Sequence, residues 1–206
     1  MALEHGEYFG EFIVPQGTDP FYVQALLLSE VVKRTLEQRA GIELSDHPEI
    51  VKVPIVDFMR KMRVWGLDKF KENTFISTVN MYRSKDDMDK DKVLGAIVLY
   101  MEGEFIPFLF KRLGYPDIDD QNEQDIEDAI GTFCNLIAAK FKQGIIQIGY
   151  KELEMSHFSS YQDQVPGGVP YDISQDFKYQ ISFNIRDQKR IVVDLTMATI
   201  PKADLY

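Results

Sequence analysis

Between Ile126 and Phe141 the apolar side chains recur at helical spacing. If each residue turns about 100°, then Ile126, Ala129, Ile130, Phe133, Ile137 and Phe141 share one stripe. Asp128, Thr132, Asn135 and Ala139 fall on the opposite stripe, spaced by four, three and four, with Gly131 beside them. The pattern predicts a helix over about Asn122 to Lys142 with a core face and an outward face. Asp120, with Glu123 three residues later, has the spacing of a capping box, and Gly144 closes the helix. The outward face is polar at Asp128, Thr132 and Asn135 and small at Gly131 and Ala139, so a partner can approach the backbone closely. Periodicity alone equally allows an ordinary solvated face.

Two further helices are predicted. The first opens with Asp19 as cap and Pro20 in the first turn, carries Ala25, Leu28, Val32 and Leu36 at helical spacing, and ends at Gly41. The second runs from about Glu104 to Leu113, with Pro107 in its opening turn and Gly114 after its end. Strand-like runs cover Val51–Ile55, Phe75–Tyr82, Val93–Met101, Tyr150–Phe158, Tyr179–Ile185 and Arg190–Thr199. Pro54 marks the first of them as an edge. The charged run 84–92 reads as a solvated hairpin loop, and 186–189 as a polar hairpin turn. The segment Ser159–Asp176, with Pro166-Gly167-Gly168 and Pro170, is a long connection of the kind that is often functional or mobile. The fold class is therefore α+β, a largely antiparallel sheet with helices packed on one face. Nothing marks a linker, so 1–206 reads as one domain with 1–18 as an N-terminal extension.

Composition narrows the function. The 206 residues carry 23 basic and 33 acidic side chains, a formal charge of −10, which disfavours a phosphate backbone as partner. The best basic stretch, Arg60-Lys61-Met62-Arg63 with Lys69 and Lys71, reads as a solvated segment. One cysteine, Cys134, excludes an internal disulfide. The first seven residues lack a secretory pattern and no apolar run reaches membrane-helix length, so the reading is cytoplasmic, with no membrane partner. Cys134 falls toward the core stripe with no histidine nearby, which suits a structural thiol rather than a nucleophile. His5, His47 and His157 have no metal-ligand spacing. Asp117, Asp119, Gln121, Asp125 and Asp128 imitate a calcium loop only in part, with Asn122 where the central glycine belongs. No metal and no cofactor are expected.

The block Val93-Leu94-Gly95-Ala96-Ile97-Val98-Leu99, the helix ending Arg112-Leu113-Gly114, and the run Asp128 to Ala139 together resemble the CheC/CheX/FliY family. The resemblance implies a CheX/CheC-like fold and phosphatase action on phosphorylated CheY-type receiver domains. It also implies roles. The helix motif of that family reads Asp-x3-Glu-x2-Asn, and here Asp128 and Asn135 match while Thr132 stands where the glutamate belongs. The asparagine would be the catalytic residue, positioning the attacking water, and the glutamate would pair with a receiver lysine. An amide donates and accepts hydrogen bonds, which suits the first task. Thr132 is uncharged and shorter and cannot perform the second. Asp128, Gly131, Thr132, Asn135 and Ala139 would form the partner surface. Any magnesium ion would be held by the receiver, and pairing of two copies through a sheet edge is implied by analogy. The family's proline downstream of the motif is absent; Phe158 stands near that place. The first helix reads Ser29-Glu30-Val31-Val32-Lys33, without an asparagine three after the acid, so no second site is expected there. The expected activity is receiver binding with weak or absent aspartyl-phosphate hydrolysis. The alternatives are a non-catalytic interaction module on the same fold, and a small-molecule sensor built on the 159–176 loop.

Overall fold

Strand alternation in three central segments organises the molecule. A computed structural model describes residues 19–71, 73–116, 118–119 and 122–203. The N-terminal extension, and Asp117, Asp120 and Gln121 of the acidic run, lie outside the described residues. Strands β4 (Thr74–Tyr82), β5 (Gly95–Glu102) and β9 (Gln188–Met197) lie at the centre of one antiparallel sheet. Their odd-numbered residues, such as Phe75, Ile97, Leu99 and Val193, face the helices. Their even-numbered residues, such as Ile76, Val98, Tyr100 and Val192, face the other way into a second core. With β1 (Glu49–Pro54), β8 (Phe177–Ile185) and the short β6 (Glu154–Met155), the order is β1-β8-β9-β5-β4-β6, and β7 (Ser159–Gln162) also pairs with β4. β1 is an edge, as Pro54 foretold.

The front face carries the helices. Helix α1 (Pro20–Arg34) continues as a π-helical turn, Thr35–Arg39, before Gly41 takes φ +59°. Asp19 caps it by accepting from the Phe21 N–H at 2.9 Å, and Tyr179 of β8 donates to the same carboxylate at 2.9 Å. The 84–92 run is not a plain loop: Ser84 caps a one-turn helix α2 (Lys85–Asp89) through the Asp87 N–H. α3 (Phe105–Arg112) leads to α4 (Glu123–Gln147), which outruns the predicted end at Gly144. Gly144 is buried and helical, and the left-handed residue that ends the helix is Gly149, at φ +91°. The α4 cap is Asn122, which accepts from the Gln124 N–H at 3.1 Å.

The back face differs from expectation. The segment read as solvated is a cover. A hairpin of β2 (Asp57–Phe58) and β3 (Lys61–Met62), followed by a 3-10 turn at Gly66–Asp68, lays Met62, Val64 and Phe70 on the sheet. The 163–176 strap crosses beside it. Met62 and Val169 exchange two backbone hydrogen bonds at 2.8 Å, and the Ile55 N–H donates to the Asp176 carbonyl at 3.0 Å. Val165 and Val169 are buried in the second core, so the long connection is pinned over packed side chains. Lys69 reaches under this cover to the fully buried Asp194, at 3.1 Å, where Lys178 (2.6 Å) and the Tyr100 hydroxyl (3.0 Å) also converge.

Candidate functional site

Helix α4 lies over the sheet with Ile126, Ile130, Phe133, Ile137 and Phe141 buried, as the periodicity requires. Asp128, Thr132 and Asn135 are exposed on its outer side. Ala139 is half-buried. Gly131, read from the sequence as part of the same open face, is closed off: a Cβ there would lie 2.1 Å from Cε2 of Phe158. The missing side chain is a notch filled by an aromatic ring, and Gly131 is buried. Phe158 enters from the loop between β6 and β7, beside the edge strand that pairs with β4.

The chemistry of the face is uneven. The Asn135 side chain has no hydrogen-bond partner among the described residues, so its amide is left exposed with both donor and acceptor open. Asp128 accepts from the Gln124 amide at 3.3 Å and has no cationic partner among the described residues. One residue earlier, the Glu127 carboxyl is pushed up from its usual range by partial burial and then by the charges of Glu123 and Asp128. The N-terminal half of α4 is thus crowded with acid. Cys134 sits beside Asn135 in sequence but faces inward, with Sγ 3.6 Å from the Ser77 carbonyl. Burial pushes its thiol up to about 12, which removes it as a nucleophile. His47 and His157 are exposed and separate. Among the described residues no group of three or more His, Cys, Asp or Glu could hold a metal ion.

One feature of the face was not legible. Beside Asp128 and Thr132 opens a shallow cleft of about 270 Å³, floored by Phe110, Tyr115 and Ile118 and rimmed by Asp125. Tyr115 folds back on Phe110, with ring centroids 5.1 Å apart, and is 44% exposed. The sequence signal was an aromatic immediately after Leu113-Gly114, where a plain helix stop was expected.

No protein-family model matches the chain, and no curated protein matches it. Solved structures do. A CheC-like superfamily protein from Shewanella sp. PV-4 superposes with a TM-score of 0.55 over 84% of this chain and 97% of that one, at 13% identity. The chain has the CheX/CheC-like fold. Chemotaxis protein CheX from Vibrio vulnificus is similar with a TM-score of 0.53, at 11% identity over 82% of this chain and 94% of the other. A CheX–CheY–BeF3–Mg2+ complex from Borrelia burgdorferi matches with a TM-score of 0.50, at 14% identity over 87% and 98%. In this CheX/CheC-like fold the expected sheet and helix arrangement is present, and no helix among the described residues is long and apolar enough to cross a membrane.

Proposed function

We propose that this protein docks the outer face of α4, at Asp128, Thr132 and Asn135, against a phosphorylated CheY-type receiver domain. The observation that carries the reading is Asn135. It is exposed mid-helix, with its amide unpartnered among the described residues, on a fold shared with a CheX solved in complex with CheY. An amide in that state can hold a water in line with an aspartyl phosphate by donating and accepting at once. The charged partner for a receiver lysine is lacking, because Thr132 offers only a hydroxyl. Asp128, one turn back, supplies a carboxylate from a different position. The reading is therefore receiver binding with weak or absent hydrolysis, any magnesium ion being the receiver's own.

The test is phosphate release from a phosphorylated receiver, with binding measured in parallel. Phosphorylation-dependent binding weakened by Asn135→Ala supports the reading. Binding indifferent to phosphorylation, or untouched by changes at Asp128 and Asn135, leaves a non-catalytic interaction module on the same fold.

A further inference from the structure

Exposed apolar side chains are not spread evenly over this molecule. Of the ten large hydrophobic residues exposed among the described residues, Val56, Phe58, Met59, Trp65, Leu67 and Ile173 all lie on the cover over the back of the sheet. Their extreme is the tip of the β2–β3 hairpin, where Phe58 is 55% and Met59 79% exposed. Met59 and Arg60 form the two-residue turn, with φ of 53° and 64°. These side chains add nothing to the core beneath, which is filled by Met62, Val64 and Phe70. The charge at the hairpin, though not along the 163–176 strap, is inverted. Residues 57–63 carry Arg60, Lys61 and Arg63 against Asp57 alone, in a chain with ten more acids than bases, while the neighbouring strap adds only Asp163, Asp172 and Asp176. Arg63 pairs with Asp68 and Lys69 with Asp194, whereas the side chains of Arg60 and Lys61 make no ion pair among the described residues, Asp57 meeting Arg60 only through its backbone N–H.

The same chain holds a surface of the opposite kind. The cleft between α3 and α4 has an apolar floor, Phe110, Tyr115 and Ile118, with Asp125 and Asp128 at its rim. Neither carboxylate has a cationic partner among the described residues. One surface is a projecting apolar tip with free cations, and the other an apolar recess with free anions.

We propose that the β2–β3 hairpin tip of one copy docks in the α3–α4 cleft of a second copy, with Phe58 and Met59 on the apolar floor and Arg60 and Lys61 against Asp125 and Asp128. Tip-to-tip pairing is disfavoured because it sets like charges together. The two contacting surfaces differ, so the contact is head to tail and leaves a free tip and a free cleft at its ends. Asp128 and Thr132 also belong to the proposed receiver face, so a copy seated there and a receiver exclude one another. The self-contact does not rest on the receiver reading and is tested without a receiver.

The experiment measures the mass of the full-length chain by light scattering and sedimentation velocity over a range of concentrations. The unaltered chain is expected to exceed the monomer mass as concentration rises, and to lose that excess in high salt. Arg60→Glu with Lys61→Glu makes the tip acidic, and Asp125→Lys with Asp128→Lys makes the cleft basic. Each double variant alone is expected to be monomeric. Mixing the two restores both complementary contacts, so the mass rises again, which also shows that both variants are folded. A monomer at all concentrations, a mixture that stays monomeric, or association that survives both reversals and so belongs to another surface such as the free edge of β1, would overturn the proposal.

Discussion

Lys178 Nζ ends 2.6 Å from the carboxylate of Asp194, which has no solvent exposure. Lys69 binds the same carboxylate from the cover, so a single acid holds two nearly buried cations. Removing the acid leaves both cations uncompensated. Asp194→Asn is expected to destabilise by about 3–5 kcal/mol, measured by denaturant unfolding. Replacing the three charges together with apolar residues of similar size is expected to cost far less, because no buried charge is then left unpaired.

The tyrosines give the molecule an alkaline limit. Tyr171 and Tyr179 are both pushed up to about 12, first by partial burial and then by hydrogen bonds to Asp57 and Asp19 respectively. Buried Tyr100 is raised as well, by burial and then by Asp194. Above pH 10, the ordinary tyrosine value, the unfolded chain loses these protons first and binds fewer than the native one. Stability from these groups therefore falls between pH 10 and about 12. Lys69 has the opposite sign, because burial lowers its value and native deprotonation comes first. With Tyr82 and the Cys134 thiol raised as well, four tyrosines and a thiol outnumber one lysine. Unfolding midpoints taken at stepped alkaline pH are expected to fall, and a rise would contradict the assignment.

Restoring the missing acid tests the receiver reading. Thr132 is exposed, so Thr132→Glu is expected to leave stability within about 0.5 kcal/mol. It should speed receiver dephosphorylation by about ten- to a hundredfold, the scale of one hydrogen bond to a charged group. The gain should vanish when Asn135→Ala is added. A gain that persists without Asn135 would remove that residue from the chemistry.

Gly131 and Phe158 make a closed pair for a double-mutant cycle. Alanine favours a helix over glycine by about 1 kcal/mol, yet here the added methyl meets the Phe158 ring at 2.1 Å. Overpacking of that kind costs about 1–3 kcal/mol, so Gly131→Ala should be destabilising or neutral in the natural chain. In a Phe158→Ala background the same change should stabilise. Thermal unfolding of the four proteins reads the change of sign.

Cys134 offers an independent measure of helix opening. The thiol is fully buried and pushed up to about 12, so a thiol reagent at neutral pH reaches it only when α4 detaches. Labelling in native buffer is expected to be slower than in denaturant by at least about 10³-fold. Fast native labelling would show that α4 leaves the sheet far more readily than the rest of the fold opens.

The elements that repeat were legible, and those that rely on distant partners were not. Ile126 through Phe141 state their helix by spacing alone, and Pro54 states an edge. Segment 60–71 has no period because its buried residues, Met62, Val64 and Phe70, pack as isolated anchors between exposed neighbours. Nothing local announces that Lys69 has a counter-ion 125 residues away. Likewise 159–176 looked like a long free loop because its bonds go to segments far off in sequence. At the site, the exposed row Asp128, Thr132, Asn135 came from helical geometry. The loss of Gly131 to Phe158 did not, since a glycine on a helix does not say what fills its gap.

That filled gap constrains the helix itself. A ring seated in a backbone notch is a detent: α4 cannot slide or roll along the sheet by a turn without lifting Phe158 out. Under the proposed reading, a partner on the outer face meets side chains whose backbone is held in register by that ring.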